Sequence, residues 1–206
     1  MLNHDTKWDE ERGYGVFAFV NIIHKNMVKD IKIVSNNVSW TFEDRTITIE
    51  IEDVFFASER NEVQLIEIEA GKNFKQNKVF YFNFAGEMVL YYDLESSTVE
   101  WSIQGDIKKI TVKNMKQVGF FPLEQRILII SSCGKQELLG YDIDGKYLFK
   151  VNNPSEYEML YFAKIRDNIV VVCDGNKSQE DKYSRFRYNF FMDINTGKLT
   201  KGGVAY

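Results

Sequence analysis

The stretch that decides the fold is GYDIDGKYLF at 140–149, and related phrases occur as LIEIEAGK at 65–72, YYDLESST at 91–98 and FMDINTGK at 191–198. Each phrase places apolar or aromatic residues before an acidic residue and turn-forming residues after it, which is typical of a strand entering a tight turn. The acidic residues are Glu67, Asp93, Asp142 and Asp193. Because the three aspartates recur at one hairpin position, we expect them to accept backbone N–H bonds in turns rather than to act in catalysis.

An apolar run precedes each phrase, beginning at Val54, Val79, Ile127 and Ile169. The acidic residue follows the start of its run by 13, 14, 15 and 24 residues, and the last gap is longer because of a polar insertion at 174–185. Successive acidic residues are 26, 49 and 51 residues apart. A four-stranded propeller blade takes about 40–50 residues, so the 26-residue step predicts an N-terminal half that is degenerate or built differently.

The pattern Y-D-x-x-G-K-x-x-F at 141–149 resembles a phrase found in repeats of the β-propeller superfamily. The resemblance covers residues 54–206, although the hairpins carry no WD dipeptide. It implies an all-β, antiparallel, propeller-like domain with about four blades, or an incomplete propeller. We expect a single domain over 1–206, with a degenerate portion at 1–53. An incomplete propeller would expose strand edges, and covering them would require the N-terminal segment or a second subunit in a homo-oligomer.

The composition also predicts a soluble β domain. Aromatic residues make up 15% of the 206 residues, only two prolines occur, and aromatic side chains suit the pleated surface of strands. The charged N-terminal stretch lacks the apolar run of a secretory signal, and no segment has the ~20 apolar residues of a membrane span. We therefore expect a cytoplasmic protein in which Cys133 and Cys173 are reduced core residues.

Strand periodicity is clearest at 46–52, where Ile47, Ile49 and Ile51 alternate with polar residues. Strands are also predicted at 79–84, 88–93, 98–103, 127–131, 138–143, 168–173 and 186–193. The segment 14–30 fits either a helical stripe or a strand followed by a turn, and Gly13 and Gly15 favour the strand.

Charge supplies the main functional signal, since residues 1–100 carry a net charge of −8 and residues 101–206 carry +4. If strands 46–52 and 63–69 are neighbours, their carboxylates face each other across the sheet, which favours a cation or a basic partner. We expect an outward-facing, partner-binding acidic surface formed by Glu50, Glu52, Glu67 and Glu69. The alternative is a solvated sheet face whose charge prevents edge-to-edge association.

Signals of catalysis and of ligand chemistry are missing from the sequence. His4 and His24 show no metal-binding spacing, no glycine-rich phosphate loop follows a strand, and no GxSxG elbow occurs. The insertion at 174–185 begins like a calcium loop but has Gln179 at position 6 and Arg185 at position 12, so we expect a mobile hairpin loop instead. An overall pI near 5.4 argues against nucleic-acid binding by the basic and aromatic run at 182–188. We expect no catalytic residue, cofactor, metal, nucleic acid or membrane.

The sequence thus favours a non-catalytic protein-binding module that uses its acidic face on a basic protein partner, as a bacterial immunity or adaptor protein would. The alternative is a carbohydrate-binding or carbohydrate-processing propeller, in which Trp40 and Trp101 offer stacking platforms. If both tryptophans lie in the core, they cannot stack on a sugar, and the carbohydrate alternative loses this support.

Overall fold

The computed structural model describes residues 28–103 and 105–205, and nearly all of its regular structure is antiparallel β-sheet. Sheet A contains β1 (Lys29–Val34), β2 (Asn37–Phe42) and β3 (Arg45–Glu50). Sheet B contains β4 (Val54–Arg60), β5 (Leu65–Ala70), β6 (Lys78–Asn83), β7 (Met88–Asp93), β8 (Thr98–Ile103) and β9 (Asp106–Thr111). In each sheet the strands follow one another in chain order.

The C-terminal half of the described chain forms two four-stranded sheets. Sheet C contains β10 (Met115–Phe121), β11 (Arg126–Cys133), β12 (Lys135–Asp142) and β13 (Tyr147–Asn152). Sheet D contains β14 (Tyr157–Ile165), β15 (Asn168–Gly175), β16 (Arg187–Met192) and β17 (Leu199–Val204). Short 3-10 turns occur at Asn61–Val63, Lys72–Phe74 and Lys177–Gln179, and the described residues include no α-helix.

The predicted all-β, antiparallel fold is confirmed, and every strand predicted from the hairpin phrases overlaps an observed strand. The short spacing of 26 residues between Glu67 and Asp93 also has a structural explanation. The phrases at 65–72 and 91–98 contribute β5 and β7 to the same six-stranded sheet B, so no blade boundary lies between them. The segment 14–30 lies outside the described residues except for Val28, Lys29 and Asp30.

Three apolar layers lie between successive sheets, so the four sheets resemble the blades of an open propeller. Trp40 and Val38 of sheet A pack with Ile66 and Ile68 of sheet B. The opposite face of sheet B packs on sheet C, and sheet C in turn packs on sheet D. Burial of this apolar surface is the main stabilising contribution to such a fold. Sheets B and C are therefore covered on both faces.

Two polar contacts show that sheets B, C and D share a common orientation. Trp101 Nε1 near the end of β8 donates to Ile143 O in the β12–β13 turn, at 2.6 Å. Lys164 Nζ near the end of β14 lies 2.8 Å from Glu124 Oε1 in the β10–β11 turn. We name the end of the sheets at which these two contacts lie the lower end. Because the strands alternate in direction, the connections 51–53, 71–77, 112–114 and 174–186 all lie at the opposite, upper end.

Candidate protein-binding surface

The four predicted partner-binding glutamates do not form one exposed face. Glu50 and Glu52 are exposed, and Glu69 is partly buried. Glu67 is only 6% exposed, so its expected outward orientation is wrong. The condition that strands 46–52 and 63–69 are neighbours is not met, because β3 belongs to sheet A whereas β5 lies between β4 and β6 of sheet B.

The reason for the burial of Glu67 is that β5 is covered on both faces. Ile66 and Ile68 face sheet A, while Leu65, on the same face as Glu67, packs with residues of sheet C. Alternation of apolar and charged residues identifies two faces of a strand, but a second packed sheet can cover the polar one. Glu67 therefore occupies a position in a buried layer.

Two partners satisfy the buried carboxylate. Arg60 Nε donates to Glu67 Oε2 at 2.5 Å, and the Tyr81 hydroxyl donates to Glu67 Oε1 at 2.9 Å. The hydrogen bond to Glu67 raises the pKa of Arg60. Burial, followed by the charge of Glu67, raises the pKa of Tyr81 well above its usual value. A buried charge that keeps its partners is tolerated, whereas removal of one partner is costly.

Glu69 lies two residues beyond Glu67 on the same face of β5 and is paired across the ladder with Phe56. Partial burial raises the pKa of Glu69, the neighbouring charge of Glu67 raises it further, and Arg60 acts in the opposite direction. The ionised form of Glu69 is thus disfavoured in the isolated molecule. A cation placed next to Glu69 would stabilise its ionised form.

Exposed phenylalanines adjoin these carboxylates at the upper end of sheet B. Phe74 is 83% exposed and Phe56 is 44% exposed, and the ring of Phe74 meets the edge of Phe55 with centroids 6.1 Å apart. Phe74 has a φ of +58°, and it is the only apolar residue among the non-glycine residues with positive φ in the described chain. A bulky side chain in left-handed backbone is strained, and such strain is concentrated at functional sites.

The loop at 71–77 that carries Phe74 is held against the connection between sheets A and B. The Gly71 N–H donates to Asp53 O at 2.9 Å, which places the loop beside Glu52. A Cβ at Gly71 would collide with Lys75 O and with the Asn77 side chain, at a φ of +154°. Glycine is required for this close approach. We name Glu50, Glu52, Glu69, Phe56 and Phe74 the acidic-aromatic surface. All five lie at the upper end, with Glu50 on the face of sheet A away from sheet B and with Phe56 and Glu69 on the face of sheet B towards sheet C.

Both described tryptophans are core residues. Trp40 is fully buried and donates to Phe84 O at 2.8 Å, and Trp101 is 3% exposed with its indole N–H on Ile143 O. Neither ring offers a stacking platform for a sugar. Trp8, the third tryptophan, lies outside the described residues.

The three repeated aspartates have the structural role predicted for them. Asp93 Oδ1 accepts from the Glu95 N–H at 2.8 Å. Asp142 Oδ1 accepts from the Lys146 N–H at 2.8 Å, and Asp193 Oδ1 accepts from the Asn195 N–H at 2.9 Å. Glu67 differs from them because it lies within a strand rather than at a turn.

The insertion at 174–185 has specific contacts, in contrast to the mobile loop that its polarity predicts. The Tyr157 hydroxyl donates to Gln179 Oε1 at 2.6 Å, and Gln179 Nε2 donates to Glu156 Oε2 at 2.5 Å. Ion pairs join Arg185 to Asp181 at 2.6 Å and, at the base of the loop, Arg187 to Asp174 at 2.6 Å. The contacts of Gln179 depend on the spatial proximity of 156–157, about twenty residues upstream, whereas the two ion pairs are local.

The groove, the acidic side chains and the cysteines of the described chain do not form a further candidate site. An open groove of about 610 Å³ at the upper end of sheets C and D is lined by polar residues such as Gln136, Asn152 and Tyr157. No group of three metal-ligating side chains is found among residues 28–103 and 105–205. Cys173 is buried, which raises its pKa to about 12, whereas Cys133 is exposed and is not the core residue we expected. In the same described ranges, no helix is long and apolar enough to cross a membrane.

Comparisons with known proteins identify structural similarity only. No protein-family model matches the chain, and no curated protein matches it either. A protein of unknown function from Bacteroides caccae is 10% identical, with a TM-score of 0.35 over 82% of this chain and 55% of its own. The computationally designed Ika8 protein is also 10% identical, with a TM-score of 0.30 over 86% of this chain and 74% of its own. This chain therefore spans about half the length of the Bacteroides caccae protein.

Proposed function

We propose that this chain is a degenerate member of the β-propeller superfamily and acts as a non-catalytic module that binds a basic protein partner. The binding site is the acidic-aromatic surface at the upper end of sheets A and B. The observation that carries the proposal is Phe74, which is 83% exposed in strained left-handed backbone, in a loop that Gly71 hydrogen-bonds to the connection containing the exposed Glu52 and Asp53.

An exposed aromatic ring beside unpaired charge has the composition of a protein-binding hot spot. Aromatic anchors supply most of the binding free energy at such sites, and surrounding charges guide association. Phe74 and Phe56 would supply the anchors, and Glu50 and Glu52 would attract lysine or arginine side chains. A partner cation near Glu69 would also offset the repulsion from Glu67.

A revised acidic surface replaces the one predicted from sequence. Glu67 contributes no contact surface because it is buried against Arg60 and Tyr81. Glu50, Glu52 and Glu69 remain as contributors. A bacterial immunity or adaptor protein is the type of protein that this surface would suit.

The proposal is tested by affinity capture from native cell extract at low and moderate salt. Compared with the wild-type protein, Phe74→Ala and the double variant Glu50→Lys/Glu52→Lys should each lose the captured partner. The matched control is Asp106→Lys/Asp167→Lys, which makes the same charge change at exposed positions of the lower end. Equal capture by all four proteins would refute the proposed surface.

A further inference from the structure

A group of lysines lies at the same upper end, on sheets C and D. Each is exposed, and none forms an ion pair with any residue in the described ranges. We name this group the lysine surface, and it consists of Lys113, Lys116, Lys135, Lys177 and Lys182. Three exposed carboxylates that form no ion pair with described residues, Glu156, Glu158 and Glu180, lie at the same end. The five lysines exceed them by two, so the upper end of sheets C and D has an excess positive charge.

The upper end of sheets A and B carries the opposite excess charge. Glu50, Glu52 and Asp53 are exposed and form no ion pair with described residues. Lys72, Lys75 and Lys78 lie at the same end, where they are fewer than the four carboxylates that Glu69 completes. A single end of the molecule therefore presents one acidic region and one basic region.

Aromatic residues accompany both regions. Phe74 projects from the acidic region at 83% exposure, and Tyr183 projects from the basic region at 64% exposure. Lys182 Nζ lies 4.8 Å and Arg185 Cζ 5.0 Å from the centroid of the Tyr183 ring. Each region thus combines charge with an aromatic side chain, as protein interfaces do.

We propose that two copies of this chain associate through their upper ends around a two-fold axis. The acidic-aromatic surface of each copy contacts the lysine surface of the other. The inference rests on the proposed function, because it identifies the basic partner as a second copy. A two-fold arrangement uses both regions twice and closes the assembly at two chains.

A second copy fits this end better than a polyanion does. A nucleic acid would be attracted by the lysines, but the carboxylates at the same end would repel its phosphates. A second copy pairs both regions with opposite charge. Nucleic-acid binding by the lysine surface is accordingly an outcome that would contradict the proposal.

The test is sedimentation equilibrium of the full chain at low salt over a range of protein concentrations. The wild-type protein should approach twice the mass of one chain, and the association should weaken as salt is added, because the Debye length shortens to about 8 Å at physiological ionic strength. Glu50→Lys/Glu52→Lys and Lys113→Glu/Lys116→Glu should each remain monomeric alone. Asp106→Lys/Asp167→Lys, altered at the lower end, should associate as the wild-type protein does.

Mixing the two monomeric variants provides the decisive measurement. In the mixed pair, the lysines introduced at 50 and 52 face the glutamates introduced at 113 and 116, and the second contact retains its native charges. An equimolar mixture should therefore recover the dimer mass, which general misfolding of either variant would prevent. A wild-type monomer at all concentrations, or a mixture that fails to associate while circular dichroism shows both variants folded, would overturn the proposal.

The two proposals fail separately. If the chain is monomeric but Phe74→Ala and Glu50→Lys/Glu52→Lys still abolish capture of another protein, the partner is a different basic protein. The proposed function then stands and the dimer does not. If a short DNA duplex shifts the wild-type protein but not Lys113→Glu/Lys116→Glu in electrophoresis, the lysine surface has a different ligand and the dimer is again refuted.

Discussion

The hydroxyl of Tyr81 lies 2.9 Å from Oε1 of Glu67, inside the layer between sheets B and C. Tyr81 belongs to β6 and Glu67 to β5, and the two residues are directly paired across the ladder. Their hydrogen bond satisfies a carboxylate that the neighbouring sheet removes from solvent.

Loss of this hydrogen bond should destabilise the fold. We expect Tyr81→Phe to lower the free energy of unfolding by about 1–3 kcal/mol, because one oxygen of a buried carboxylate loses its donor. Urea denaturation monitored by tryptophan fluorescence measures the change. Tyr147→Phe, at a site that is 51% exposed, is the control and should change stability by less than about 0.5 kcal/mol.

Alkaline pH should destabilise the protein through its buried tyrosines. Burial raises the pKa of Tyr92, and the charges of Glu67 and Glu69 raise it further. The unfolded chain then loses this proton near pH 10, before the folded protein does, so the stability contributed by protonated Tyr92 is present below that pH and declines above it. Denaturation midpoints between about pH 9 and pH 11 should fall more steeply for the wild-type protein than for Tyr92→Phe. Parallel pH profiles would contradict this assignment.

The insertion at 174–185 should resist proteolysis because Gln179 links it to Glu156 and Tyr157. We expect limited trypsin digestion to spare Lys177 and Lys182 in the wild-type protein and to cleave there in Gln179→Ala, since a loop that loses its contacts opens locally. Mass spectrometry of the fragments locates the cuts. Glu180→Ala changes an exposed residue of the same loop and should leave the digestion pattern unaltered.

Replacing Phe74 with glycine should separate stability from binding. Glycine accepts the φ of +58° without strain, so Phe74→Gly should raise the free energy of unfolding by about 0.5–1 kcal/mol while abolishing partner capture. Thermal denaturation and the capture assay measure the two effects. Tyr183→Gly replaces another exposed aromatic residue that lacks positive φ, and it should bring no gain in stability.

The strands could be predicted from sequence because alternation and turn residues are local properties. The turns at Asp93, Asp142 and Asp193 followed from their repeated position for the same reason. The burial of Glu67 could not be predicted, since it depends on sheet C covering a face of β5 that its own sequence marks as polar. The contact of the Phe74 loop with the connection between sheets A and B, through Gly71 and Asp53, likewise depends on tertiary structure.

The strand order has a consequence for biosynthesis. Because each sheet is formed by one uninterrupted stretch of chain, sheet B can complete its hydrogen-bonded ladder before the residues of sheet C are synthesised. One face of sheet B is then covered by sheet A, and the other stays uncovered until sheet C has been synthesised. Until sheet C arrives, Glu67 and its partners Arg60 and Tyr81 keep that face partly polar. Polar groups on that face reduce the apolar surface that sheet B exposes during this interval, and exposed apolar surface is what makes partly synthesised chains prone to aggregate.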